Sequence, residues 1–181
     1  MPSNKKPMKL KVAQDLAEMV GRSLDINNVK YQICGSLRRE RPIVNDVDMV
    51  VSIPTLEIYK ILKPRLGMSA ILTKKGDKYG NFVIEGVQFD FNYASPESWG
   101  AMVLFATGSG LFNIIMRGIA KNQGYKLNEK GLFMGEDCIA GRTEEQIFDA
   151  LGLEYLPPQE REVTAENRKK RWLKEKPSWK V

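Results

Sequence analysis

Asp46 and Asp48 stand two residues apart in Asn45-Asp46-Val47-Asp48-Met49-Val50-Val51, a run dominated by apolar, strand-favouring residues. The period of two in a strand puts both carboxylates on one face and Val47, Met49 and Val51 on the other. Two carboxylates roughly 7 Å apart along a strand repel unless something positive sits between them. Hard divalent cations such as Mg²⁺ take oxygen ligands, so a metal site resolves the repulsion. An Asp-x-Asp pair that merely solvates the outer face of an edge strand would look the same.

Ten residues before Asp46, Gly35-Ser36 follows the strand-like run Val29-Lys30-Tyr31-Gln32-Ile33-Cys34. A Gly-Ser turn leaving a strand exposes backbone N–H groups with no side chain in the way, and phosphate oxygens fit there. Arg38 and Arg39 bring guanidinium groups of the kind that pair with phosphate through parallel hydrogen bonds. In the later run Val87–Tyr93, Val87, Phe89 and Phe91 alternate with Gln88, Asp90 and Asn92. Asp90 therefore stands on the polar face of a strand able to lie beside the one carrying Asp46 and Asp48, which supplies a third carboxylate. On its own, Asp90 would read as an ordinary solvent-facing acid.

The elements that position these residues follow from periodicity. Val12, Leu16, Met19, Val20 and Leu24 have helical spacing, so residues 9–24 are expected to form a helix packed on a sheet. Strands are expected over 29–34 and 46–53, a helix from Pro54-Thr55 to Gly67, and a meander of strands over 69–74, 81–84 and 87–93. From Ser95-Pro96-Glu97, a helix start, the chain is expected to turn wholly helical. A second helix opens after Thr107-Gly108-Ser109 and runs to about Asn122, where Asn113, Arg117 and Lys121 form one polar stripe. Phe112, Ile114, Ile115, Met116 and Ile119 leave little of that helix for solvent, so the stripe asks for a partner; the acceptors of a DNA minor groove would suit it. A stripe that simply faces water is the alternative. Thr143-Glu144-Glu145-Gln146 fits a capping box for a last short helix ending at Gly152, before Pro157-Pro158 breaks the chain.

At 181 residues with 43% apolar content, the chain can build one good-sized core or two small ones. There is no histidine, which excludes imidazole acid–base chemistry, and the two cysteines, Cys34 and Cys138, lack the spacing of a zinc site or a disulfide framework. With no run long enough to span a bilayer and no signal-peptide core, an intracellular protein away from the membrane is expected. The net charge of +6 is concentrated late: residues 165–181 hold seven Lys or Arg against two Glu, a net of +5. Arg168, Lys169, Lys170 and Arg171, with Trp172 and Trp179 nearby, suit phosphate contact and stacking, and equally a solubilising end or a nuclear address.

Gly35-Ser36-Leu37-Arg38-Arg39 followed by Asn45-Asp46-Val47-Asp48 resembles the opening motif of the polymerase-beta nucleotidyltransferase superfamily, and within it the family X DNA polymerases. Thr107-Gly108-Ser109 with Phe112-Asn113 and Arg117, Tyr125–Glu129 with Gly131-Leu132-Phe133, and Gly152–Pro158 are similar to the carboxyl-terminal subdomain of that family. The resemblance implies an α+β fold: a nucleotidyltransferase palm with a mixed or antiparallel sheet over residues 1–94, a small helical subdomain over 95–158 that binds nucleotide and DNA, and a basic tail over 159–181. It implies that Asp46, Asp48 and Asp90 are catalytic and bind two Mg²⁺, for which Mn²⁺ substitutes. Gly35, Ser36 and Arg39 would hold the triphosphate, Phe105 and Gly108 would border the sugar, and Asn113 would face the incoming nucleotide. Arg117, Lys121 and the basic residues 168–171 would contact DNA.

The activity implied is template-directed filling of short gaps in DNA by a monomer, with a deoxynucleoside triphosphate as second substrate. Rivals are a template-independent transferase of the same superfamily and a DNA-binding module without catalysis. Only about 30 residues precede the Gly-Ser turn, so the lyase and helix-hairpin-helix domains common in the family are not expected, and the size is similar to its minimal viral members. Two positions depart from the family pattern. Ala106 replaces a frequent aromatic, and Asn92 a frequent arginine.

Overall fold

The computed structural model describes residues 6–66, 71–74 and 76–163. The chain divides into two compact units, Met1–Ser95 and Pro96–Val181.

The first unit opens with β1 (Met8–Lys9) and α1 (Leu10–Asp25), followed by β2 (Tyr31–Ile33), α2 (Gly35–Arg38), β3 (Ile43–Val44) and β4 (Val47–Val51). Next come α3 (Thr55–Leu66), β5 (Ile71–Lys74), β6 (Tyr79–Ile84) and β7 (Val87–Tyr93). Strands β2-β4-β7-β6-β5 form one five-stranded sheet, while β1 pairs with β3 alone. The meander β5-β6-β7 is antiparallel, and β7 joins β4 in parallel, so the sheet is mixed.

The core of this unit takes Val47, Met49 and Val51 from β4, Phe82 and Ile84 from β6, and Phe89 and Phe91 from β7. Phe82 and Phe91 meet edge to face with centroids 4.9 Å apart. Each such buried ring contributes roughly 1.5–3 kcal/mol relative to exposure. Helix α1 covers the sheet with Ala13, Ala17, Val20 and Leu24, whereas Val12, expected on the packing face, is 49% exposed. The alanines set the face because a small side chain lets the helix axis approach the strands, which a count of large apolar residues alone overlooks.

In the second unit α4 (Trp99–Thr107) begins later than the Ser95 start expected from the capping pattern, after a turn over residues 96–98. It is followed by α5 (Gly110–Asn122), β8 (Lys126–Asn128), β9 (Gly131–Met134), β10 (Asp137–Ala140) and α6 (Glu144–Ala150). This corrects the wholly helical reading: β10-β9-β8 form a three-stranded antiparallel sheet. Its strands have three or four residues each, too few for periodicity to reveal. The core gathers Ala101, Leu104, Phe112, Met116, Leu132, Ile147 and Phe148.

Residues 159–163, assigned above to the basic tail, belong to this unit. After a 3-10 turn at Pro158–Glu160, Arg161 and Val163 are buried. No helix among the described residues is long and apolar enough to cross a membrane.

Candidate active site

The acidic cluster of the first unit is assembled by sheet register. In the parallel pair β4·β7, Asp48 is the direct partner of Asp90. Asp46 lies in the bend one residue before β4 begins, so the expected strand starts later than the sequence pattern suggested. Even so, one carboxylate oxygen from each of Asp46, Asp48 and Asp90 lies within 4.8 Å of the others, and all three residues are half-buried. Three acids this close are costly together unless a cation neutralises them, and an all-oxygen donor set matches a hard divalent ion. These residues fit Mg²⁺.

Asp90 is fixed by two amides. Asn81, its cross-strand partner on β6, donates from Nδ2 to Asp90 Oδ1. Gln88 Nε2 lies 2.9 Å from Oδ1 and 3.2 Å from Oδ2. Neutral donors orient the carboxylate without cancelling its charge, which leaves it able to serve a cation. Gln88 was visible in the sequence as the residue two before Asp90 on the same strand face. Asn81 was not, because only the β6·β7 register brings it there.

Gly35 and Ser36 open the short helix α2 instead of an extended turn. Gly35 has φ +62° and packs against Asp48: a Cβ there would lie 2.8 Å from Asp48 Cγ. The Cys34 amide donates to the Asp48 carbonyl at 2.8 Å, tying the end of β2 to the same strand. Thus the glycine is required by the acid. Ser36 follows directly in α2, and Arg39 is its C-cap residue; both are half-buried.

The remaining expected residues lie in the second unit. Phe105, Asn113 and Arg117 line one small pocket with Ala101, Leu104, Leu127 and Asn128. Asn113 Nδ2 donates to the Phe105 carbonyl at 2.8 Å, which joins α4 to α5. Gly108 is buried in the turn between those helices, with φ +68°. Ser109 caps α5, its Oγ accepting the Phe112 amide at 3.4 Å.

Lys121 is exposed farther along α5 and is not among the pocket residues. The view of α5 as almost wholly buried needs correcting. Only Phe112, Met116 and Ala120 are buried, and Ile114 is 54% exposed. A single core-facing stripe at i, i+4 and i+8 is enough to hold this amphipathic helix. Arg168, Lys169, Lys170 and Arg171 lie outside the described residues.

Comparison with known proteins finds similarity along most of the chain. Residues 102–162 match the family model described as the DNA polymerase beta thumb. The chain is 29% identical over 153 residues to the repair DNA polymerase X of African swine fever virus (isolate Pig/Kenya/KEN-50/1950), covering 80% of this chain and 88% of that protein. The chain is similar to the family X DNA polymerases.

Two larger family X relatives match over most of this chain. DNA polymerase/3′-5′ exonuclease PolX of Bacillus subtilis is 27% identical over 84% of this chain and 27% of its own length. DNA polymerase lambda of Arabidopsis thaliana is 26% identical over 72% of this chain and 32% of its own. Among solved structures, Leishmania infantum polymerase beta in a ternary P/T complex superposes with a TM-score of 0.75 at 21% identity, over 87% of this chain and 77% of that one. That likeness bears on the fold alone.

Proposed function

We propose that this protein is a family X enzyme, a template-directed DNA polymerase that adds a deoxynucleotide to a primer 3′-hydroxyl and fills short gaps during repair. The observation that carries the reading is the register of β4 against β7, which sets Asp48 beside Asp90, with Asp46 completing a cluster of three carboxylates. Residues of this type and order are what nucleotidyl transfer needs. The name of the viral relative, a repair polymerase, supports the setting.

Asp46, Asp48 and Asp90 hold the divalent metal, Mg²⁺ or Mn²⁺. Bound there, two such ions would supply charge neutralisation at the phosphates and a lowered pKa for a coordinated hydroxyl. Asp90, oriented by Asn81 and Gln88, takes the proton of the primer 3′-hydroxyl. The oxygen so freed forms a bond to the α-phosphorus, the bond to the bridging oxygen breaks, and pyrophosphate leaves. Ser36 and Arg39 bind the triphosphate through hydrogen bonds and charge. Phe105 borders the sugar, and Asn113 and Arg117 read the new base pair from the edge, as acceptors on that edge allow.

The test is addition of single nucleotides to a labelled primer, on a one-nucleotide gap and on the same primer without template. Template-directed synthesis gives one product on the gap and none on the free strand, and Arg117→Ala loses selection more than it loses nucleotide affinity. Addition of all four nucleotides to the free strand would instead make the protein a terminal transferase.

A further inference from the structure

The second unit contains a buried ion pair that none of the chemistry above uses. Arg161 is fully buried and Glu144 is 5% exposed, and Nη1 of the arginine lies 2.5 Å from Oε1 of the glutamate. The other carboxylate oxygen accepts from the Tyr155 hydroxyl at 3.4 Å, and Arg161 Nε donates to the Leu156 carbonyl at 2.8 Å. The guanidinium sits over Phe112, Phe148 and Tyr155 at 5.3–5.5 Å from the ring centroids. Its Nη2 has no hydrogen-bond partner among the described residues.

Such a pair is an expensive way to fill a core. Well-packed apolar side chains of similar volume are as stabilising or more so, and an incompletely satisfied guanidinium costs more still. What the pair does achieve is position. The backbone carbonyl of Arg161 accepts both the Ser109 amide, at 3.3 Å, and the Ser109 hydroxyl, at 3.0 Å. Ser109 Oγ in turn accepts the Val163 amide at 3.3 Å, while capping α5. Glu144, at the other end of the pair, begins α6 immediately after Thr143. That start is seated on the first turn of α4: the Gly100 and Ala101 amides donate to the Arg142 and Gly141 carbonyls at 3.1 and 3.0 Å. A Cβ on Gly100 would lie 2.5 Å from the Thr143 nitrogen, so backbone touches backbone there. Arg161 therefore connects the start of α4, through Glu144, to the start of α5, through Ser109.

We propose that Arg161 is a positioning residue for the turn Phe105–Asn113, acting through Ser109 on the placement of Asn113 and Arg117 toward nucleotide and template. The inference rests on the polymerase reading above. It makes residues 159–163 a working part of nucleotide selection, acting through Ser109.

The experiment uses the full chain on a one-nucleotide gap, with active-site titration, thermal melting, and KM and kcat for correct and incorrect nucleotides. Arg161→Met, Arg161→Lys and Ser109→Ala are compared singly, and Ser109→Ala is also combined with Arg161→Met. Per active site, Arg161→Met is expected to raise KM for the correct nucleotide or lower correct-to-incorrect selection at least tenfold. Ser109→Ala moves the same parameter in the same direction, the double variant adds little, and Arg161→Lys recovers part of the loss.

A merely structural role predicts a lower melting temperature and fewer active sites, with KM and selection unchanged per site; that result overturns the proposal. If Arg161→Met does not fold, Ser109→Ala decides by the same criterion, because it keeps the ion pair. If the wild type shows no template-directed addition, the polymerase reading itself fails, an outcome distinct from wild-type selection that survives in the variants.

Discussion

Gly35 packs directly against the carboxyl group of Asp48, so closely that a methyl group at position 35 would lie 2.8 Å from Asp48 Cγ. This contact joins the two motifs that stand out in the sequence: the first leaves room, and the second fills it. Gly35→Ala meets two penalties, displacement of the acid and a left-handed backbone at φ +62°, the latter worth about 1–2 kcal/mol alone. The variant is expected to melt at a lower temperature and to need more Mg²⁺ for half-maximal primer extension. Extension at an unchanged Mg²⁺ requirement would show that Asp48 tolerates displacement.

Asn81 and Gln88 hold Asp90 from neighbouring positions on β6 and β7. Removing a partner that orients a metal ligand typically lowers affinity or activity roughly 10–100-fold. Asn81→Ala and Gln88→Ala should each fall in that range in a Mg²⁺ titration of extension rate, and the double variant should exceed either. Wild-type titration curves would mean that Asp90 is held by the strand alone.

Two truncations separate the buried ion pair from the basic residues that follow it. A chain ending at Val163 should melt close to the full-length protein while losing DNA affinity and showing a flatter dependence on salt, since it sheds the seven Lys and Arg of residues 165–181. A chain ending at Pro158 also loses Arg161 and leaves Glu144 buried without its partner, a change that costs roughly 3–5 kcal/mol. Equal melting temperatures for the two truncations would contradict the buried pair, and an unchanged salt slope would remove the tail from DNA contact.

Tyr31 gives a pH signature unrelated to catalysis. Burial, and then the charge of Asp25 beside it, raises the phenol above its usual pKa of about 10. Above that pH the unfolded chain gives up the proton before the folded one does, so the stability held below about pH 10 declines as pH rises toward the folded pKa. Tyr31→Phe should flatten this alkaline decline in melting temperature. A decline of wild-type steepness in the variant would assign it to other groups.

Much of the site was legible because its signals are local. Asp46 and Asp48 declare themselves by spacing, Asp90 by alternation, and Asn113 and Arg117 by one helical turn. What sequence could not give were relationships made by register or by distant return of the chain. Asn81 reaches Asp90 only through the pairing of β6 with β7. Arg161 meets Glu144 across a proline pair that reads in sequence as a chain break, and the basic residues crowded beyond it hide that return. Strands β8–β10 escape such a reading because segments of three or four residues carry almost no periodicity.

The most direct test is single-turnover extension across a one-nucleotide gap in Mg²⁺, with each nucleotide supplied alone, for the wild type and Asp90→Asn. Loss of a positioned base costs about 10²–10⁴-fold in rate. The wild type should add only the complementary nucleotide, and Asp90→Asn should fall by at least the lower of those factors without a lower melting temperature. Indifferent addition of all four nucleotides, or a wild-type rate from Asp90→Asn, would contradict the assignment of these three acids to template-directed nucleotidyl transfer.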